Sequence, residues 1–193
     1  MTKKKRRAII IAGAVALAAV LAVAVYAFVG RTTSADTRNT ITTGGVRIEL
    51  NETKDNGTPF TDVSGVLPGQ SYEKNVSVTN TGAQTAWVRV KVEKVFLNAA
   101  GAKFDGDPTA VILEELDTDG WLDGNNGYYY YKTPLDGGAE TTKLFTGVQF
   151  DGAKIDSTYA GGDIKVNVTA EAVQYRNNES NNDVTQVQGW PET

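Results

Sequence analysis

The chain of 193 residues contains no cysteine and no histidine, and each absence removes a class of chemistry. Without cysteine no disulfide can brace the fold, so a packed core alone must hold it. Without histidine the chain lacks the commonest general base and the commonest zinc ligand. Ser-His-Asp and Cys-His catalysis and zinc proteolysis through an HExxH motif are therefore excluded. Carboxylate-only catalysis stays open in principle, but no catalytic set is recognisable, and we predict that the protein is not an enzyme.

The balance of charge is acidic, with 23 Asp and Glu against 19 Lys and Arg. Five of the basic residues stand together near the N-terminus: Lys3, Lys4, Lys5, Arg6 and Arg7. If that end is removed after Ala27, the remaining 166 residues carry a net charge of −9. The phosphate field of a nucleic acid or of an anionic membrane repels such a chain. We therefore expect no nucleic-acid partner, and contact with a membrane only through the N-terminal segment before cleavage.

An unbroken apolar run, residues 8–29, follows the basic block. A basic stretch feeding an apolar segment is the layout of an export signal, so we expect a hydrophobic signal helix over 1–27. The rest of the chain is then secreted or displayed at the cell surface. The run matches the ~20 residues that span a bilayer, which favours a permanent anchor. Small residues at −3 and −1 of a cut between Ala27 and Phe28 favour cleavage instead. The residues alone leave both interpretations open.

The part after the apolar run divides into a leader, one domain and a tail. Residues 28–44 are polar and lack an apolar period, which predicts a flexible leader. Residues 45–176 hold short alternating segments between turn residues, which is typical of an all-β antiparallel sandwich or jelly roll. Residues 177–193 have few apolar side chains, which predicts a disordered tail. The expected strands are 45–51, 72–80, 86–96, 128–131, 143–150 and 164–175, with 110–116 either a short helix or a strand.

The segment 86–96 is the clearest strand, because valines alternate with long polar or aromatic side chains. The latter are Trp87, Arg89, Lys91 and Glu93. Basic side chains beside a tryptophan are typical of a solvated face on which the apolar stems lie flat. We therefore expect this face of the strand to be in water.

Four consecutive tyrosines form another short strand. Because neighbouring residues of a strand face opposite sides, Tyr128 and Tyr130 share one face and Tyr129 and Tyr131 the other. We expect one pair in the core and the second pair half covered by Trp121 or a loop. The alternative is an exposed aromatic strip that packs against other subunits or contacts glycans.

The loop 117–125 is rich in acidic residues and has the composition of a calcium loop. It holds Asp117, Asp119, Asp123 and Asn125. Its spacing is not that of an EF-hand, because Trp121 stands where the fifth position needs an oxygen ligand. We expect an acidic, turn-rich loop and no cofactor. Weak calcium binding is the alternative, because extracellular calcium is abundant enough for weak sites to fill.

Short motifs occur in a fixed order along nearly the whole chain. They are Val25-Tyr26-Ala27-Phe28, Asn39 to Ile48, Val66-Leu67-Pro68-Gly69-Gln70, Val76 to Gly82, Gly127 to Tyr131 and Ile164 to Gln174. As an ordered set they resemble the TasA/camelysin family of exported bacterial proteins, whose signals are cut by a SipW-type peptidase. The resemblance implies a jelly-roll domain, secretion and cleavage between Ala27 and Phe28. In the TasA branch it also implies assembly into biofilm-matrix fibres.

Assembly of such a domain is expected to proceed by strand addition. The β-prone segment Thr32–Thr43 of one subunit would pair with the exposed sheet edge of the next, and cleavage of the signal would release it. The alternative is a monomeric surface binding module or adhesin that uses the aromatic strip and the acidic loop. A more remote alternative is a camelysin-like metalloendopeptidase, which this chain could support only through carboxylate ligands.

Overall fold

The computed structural model describes residues 46–61, 67–176, 178 and 183–191. The predicted signal segment, the cleavage site at Ala27 and Phe28 and the leader 28–44 lie outside these residues and stay predictions. Within the described ranges, no helix is long and apolar enough to cross a membrane.

The described part of the chain consists of strands and turns, which confirms the all-β prediction. Its strands are β1 (Ile48–Thr53), β2 (Ser71–Asn80), β3 (Ala86–Leu97), β4 (Lys103–Phe104), β5 (Val111–Glu114), β6 (Trp121–Asp123), β7 (Tyr128–Tyr131), β8 (Phe145–Phe150) and β9 (Asp163–Gln174). Single turns of 3-10 helix span Pro108–Ala110, Ser157–Tyr159 and Val184–Gln186. These turns are the only helical elements among the described residues, and every strand pair described is antiparallel.

The strands form two sheets. The first has the order β1-β2-β8-β5, so β1 and β5 are its edges. The second is built around β3, which pairs along its whole length with β9 on one side. On its other side β3 pairs with β7 and, further along, with β4, while β6 pairs with β7. Among the described strands, β9, β6 and the two-residue β4 are therefore edges of the second sheet.

The main core lies between the inner faces of the two sheets. Val88 and Val90 of β3 are fully buried against residues of the first sheet such as Val76, Val78 and Phe145. The period of two along each strand places these side chains on one face. Burying each such valine contributes about 1.5–3 kcal/mol, which supplies the stabilisation that a cysteine-free chain needs.

The ambiguous segment 110–116 is a strand, and two short strands escaped prediction. A 3-10 turn precedes β5 because Pro108 occupies its first position and the Asp107 side chain accepts a hydrogen bond from Thr109 N. The chain then extends from Val111 onward. The strands β4 and β6 have two and three residues, too few for an alternating pattern to be read.

We predicted that the outer face of β3 is in water, and for the first half of the strand this prediction is wrong. Trp87 is 6% exposed and Arg89 is 8% exposed. The reason is a second layer of packing: Trp87 joins a cluster with Tyr128 and Tyr130 of β7 that the C-terminal residues cover. The expectation holds only for Glu93, further along the strand, which is exposed.

The C-terminal segment Asp183–Pro191, which covers this face, was expected to be disordered. In the structure Val184 and Val187 are buried in the outer cluster, and Trp190 packs at its rim. Asn178 exchanges two hydrogen bonds with the backbone of Gln188, which closes the segment into a loop. The prediction from composition was wrong because three apolar side chains, Val184, Val187 and Trp190, are enough to hold an otherwise polar segment in place. The remaining residues of the predicted tail lie outside the described ranges.

Candidate functional site: the sheet edges and the covered aromatic face

Two edge strands from different sheets, β1 and β9, lie against each other along one side of the domain. Gly82 N donates to Arg47 O, which places the start of β1 beside the β2–β3 turn. At that end of the domain Ala86 pairs with Gln174, so the start of β1 lies toward the end of β9. We call this line the β1/β9 seam. Edge strands present backbone groups that can template another strand, so the seam is a candidate assembly site.

Alternate residues of β9 direct their backbone groups to opposite sides of the strand. Tyr175 N donates to Thr85 O at 3.0 Å, and this bond shows which residues of β9 direct their backbone groups toward β3. Odd-numbered residues of β9 therefore bond to β3, and even-numbered residues direct N–H and C=O toward the seam. Val166 is one of these, and its carbonyl accepts a hydrogen bond from Lys74 Nζ at 3.2 Å.

Lys74 is a buried lysine on β2, only 3% exposed. Its Nζ lies 2.6 Å from a carboxylate oxygen of Glu52 on β1 and 4.2 Å from the centre of the Phe60 ring. One ammonium thus joins β1, β2 and β9 at the Glu52 end of the seam. The carboxylate, the carbonyl and the aromatic face together offset the cost of removing the charge from water.

Lys94 occupies the equivalent place on the opposite side of the domain. Asp151 N donates to Ala110 O at 2.8 Å, so Ala110 directs its carbonyl toward the β8 side. Because neighbouring residues alternate, the carbonyl of Val111, the first residue of β5, is directed away from β8. Lys94 Nζ reaches across from β3 and donates to that carbonyl, Val111 O, at 2.7 Å and to Pro108 O at 2.9 Å. Burial lowers the pKa of the Lys94 ammonium, and the carboxylate of Asp107 opposes this shift.

The tyrosine strand β7 presents one pair to each side of its sheet. Tyr128 and Tyr130 face outward and are buried under the C-terminal segment. Tyr129 and Tyr131 are half-buried against the main core, and the Tyr131 ring lies 5.0 Å from that of Trp121. This agrees with one buried pair and one half-covered pair. The adhesin alternative thereby loses the exposed aromatic strip, one of the two features that it used.

An ion pair lies beneath the C-terminal segment, between the two longest strands. Arg89 Nε and Nη2 donate to Glu171 Oε2 at 2.7 and 2.6 Å. The guanidinium carbon lies 3.9 Å from the centre of the Tyr128 ring and 4.5 Å from that of Trp190. Glu171 is 1% exposed. The arginine is therefore stacked between two aromatic rings and tied to the C-terminal segment, which makes it a structural anchor of the covered face.

The carboxylates of the acidic loop bind their own loop rather than converging on one point. Asp117 Oδ1 accepts from the backbone N–H groups of Asp119 and Gly120, and its Oδ2 accepts from Thr142 Oγ1 at 2.6 Å. These bonds, the one from Thr142 first, lower the pKa of Asp117. Asp123 accepts from the backbone of Asn125. In the part of the chain that the structure describes, no three Asp or Glu side chains are placed to hold a metal ion together.

Sequence reasoning missed the buried Lys74, the half-buried Lys94 and the buried ion pair. A signal for Lys74 was present, because it shares the inward register of Tyr72 and Val76, where an apolar residue is normal. Arg89 and Glu171 prove to be directly opposite in the β3–β9 register. That pairing depends on strand order, which no local pattern in the sequence specifies.

No protein-family model matches the chain, and no curated protein matches its sequence. The fold and the edges described above therefore carry the functional argument.

Proposed function

We propose that the protein is an exported structural subunit that assembles by strand addition into extracellular fibres or a cell-surface matrix. Its two antiparallel sheets are proposed to form a sandwich of jelly-roll type, as in the TasA/camelysin family that the sequence resembles. Catalysis is not part of the proposal, since the chain has no histidine and no recognisable catalytic set.

The observation that carries the proposal is the position of β1. It is the first strand after the leader 28–44, it is an edge of the first sheet, and it lies against the edge strand β9 of the second sheet. The leader 28–44 is thus followed in the chain by an edge strand. Pairing of such a segment with the edge of a neighbouring copy supplies main-chain hydrogen bonds at each junction, which is the physical basis of strand addition.

The N-terminal sequence supplies the control of assembly in this proposal. A SipW-type signal peptidase cuts between Ala27 and Phe28 and releases the leader outside the cell. Before the cut, the apolar run 8–29 keeps the segment Thr32–Thr43 at the membrane. Export and assembly are then coupled through one cleavage event.

Deletion of residues 28–43 downstream of an intact signal tests the proposal. We expect the truncated protein to remain folded, with an unchanged far-UV circular dichroism spectrum, and to form no filaments by negative-stain electron microscopy. The matched control replaces the same residues by a Gly/Ser segment of equal length, which keeps the spacing and removes the β-propensity. Filaments of normal appearance from either variant would refute strand addition by the leader.

A further inference from the structure

On each of two edge strands, one outward carbonyl accepts a hydrogen bond from a lysine of the opposite sheet. Lys74 of the first sheet donates to Val166 O on β9, an edge of the second. Lys94 of the second sheet donates to Val111 O on β5, an edge of the first. The two contacts are reciprocal, and each one fills a backbone acceptor that an incoming strand would need.

Both lysines lie where an apolar side chain would be the ordinary choice. Lys74 shares the inner face of β2 with Val76 and Val78, and Lys94 shares the inner face of β3 with Val90. Removing an ammonium from water, fully for Lys74 and in part for Lys94, costs free energy that a valine or methionine at these positions would avoid. Charged side chains at a sheet edge are a known means of keeping sheets from joining edge to edge, and here each ammonium reaches the edge from an interior strand of the opposite sheet.

We propose that Lys74 and Lys94 are edge guards, residues whose ammonium groups keep β9 near Val166 and β5 near Val111 from pairing with a second copy of this chain. The partner that they exclude is an extended strand of another copy, which needs the same carbonyls. Within the proposed assembly, on which this consequence rests, Lys74 closes the Glu52 end of the β1/β9 seam. Lys94 in the same way prevents lateral growth through β5.

Disulfide trapping tests the guards directly, because the chain has no cysteine and any disulfide comes from an introduced one. Asn167→Cys places an exposed thiol on β9, and Ile112→Cys places one on β5, where the side chain is 41% exposed. Each cysteine substitution is made in the exported protein twice, once with the guarding lysine present and once with it replaced. The β9 guard is removed by Lys74→Met with Glu52→Gln, so that no carboxylate is left unpaired, and the β5 guard by Lys94→Met.

We expect mild oxidation to produce covalent dimers when the guard is absent and none when it is present. Lys165→Met removes an exposed lysine from β9 and is the matched control, for which no dimer is expected. Thr133→Cys, an exposed position outside the strands, controls for random collision. Lys74→Arg keeps a donor at the carbonyl and should suppress the dimer again.

Folded, cooperatively melting variants that give no dimer would overturn the proposal, as would equal dimer yields with and without the guard. If the Lys74 double variant does not fold, the Lys94→Met pair decides alone. The disulfide yields test the guards and do not depend on fibre formation. Filaments from the leader-deletion variant would refute the proposed assembly and leave the result for the guards unchanged.

Discussion

Arg89 and Glu171 lie directly opposite each other on β3 and β9, and their ion pair at 2.6 Å is buried by the C-terminal segment. The pair explains how a face that carries charged residues becomes interior. The guanidinium stacks on Tyr128 and Trp190, so the charge is satisfied by one carboxylate and two aromatic rings. The covered face therefore depends on both the strand register and the final residues of the chain.

Removal of one partner of this pair should be severely destabilising. Arg89→Met leaves the Glu171 carboxylate buried and unpaired, and we expect a loss of about 3–5 kcal/mol in the free energy of unfolding. Urea denaturation measures it. The double variant Arg89→Met with Glu171→Leu should recover much of the loss, because no charge remains buried. Lys91→Met on the same face is the control, with an expected effect within about 0.5 kcal/mol. An unchanged midpoint for Arg89→Met would contradict the assignment.

The C-terminal segment should be required for the stability of the outer cluster. Val187→Ala removes a buried anchor, and we expect it to cost about 1.5–3 kcal/mol. Deletion of residues 183–193 should expose Trp87 and the Tyr128–Tyr130 pair, lower the melting temperature and allow binding of the dye ANS. Deletion of residues 192–193 alone is the control. Equal melting curves for the full chain and the longer deletion would show that the segment does not cover this face in solution.

The alternating strands could be predicted from the sequence, because burial of every second side chain is a local pattern. It located Tyr72–Asn80 and Ala86–Phe96 to within a residue of β2 and β3, and β7 without error. It failed on the outer face of β3, since the cover comes from residues 183–191, about a hundred positions away. Register partners such as Val166 and Lys94 are likewise non-local. The lysine guards thus became visible only once the edges were known.

Acid should weaken the acidic loop through Asp117. Its pKa lies below the ordinary value of about 3.9 because Thr142 Oγ1 and two backbone N–H groups donate to the carboxylate. A depressed pKa contributes stability above the unfolded value, and that stability is lost as pH falls through the folded one. Thr142→Val removes the first cause, so we expect the Asp117 pKa to rise in an NMR titration. Thr133→Val, an exposed threonine, is the control. A pKa that stays depressed in Thr142→Val would contradict the assigned cause.

Blocking the cut between Ala27 and Phe28 should block assembly. Ala27→Leu places a large residue at −1, where the cleavage pattern needs a small one. We expect the protein to stay in the membrane fraction at its full length and to form no extracellular fibres. Ala24→Leu, outside the −3 and −1 positions, is the matched control and should be processed normally. Extracellular fibres from the uncut Ala27→Leu protein would separate assembly from cleavage.

Disulfide cross-linking between two cysteine variants tests the central claim, strand addition by the leader, most directly. One copy carries Thr40→Cys in the leader and the other carries Thr169→Cys on β9, and neither alone can form a disulfide between the two sites. We predict that the mixture, oxidised under assembly conditions, yields a heterodimer joined through these two residues, identified by mass spectrometry of the linked peptides. Thr133→Cys in place of Thr169→Cys should yield none. Fibres that form without any link between leader and β9, across neighbouring positions of both segments, would contradict strand addition at the β1/β9 seam.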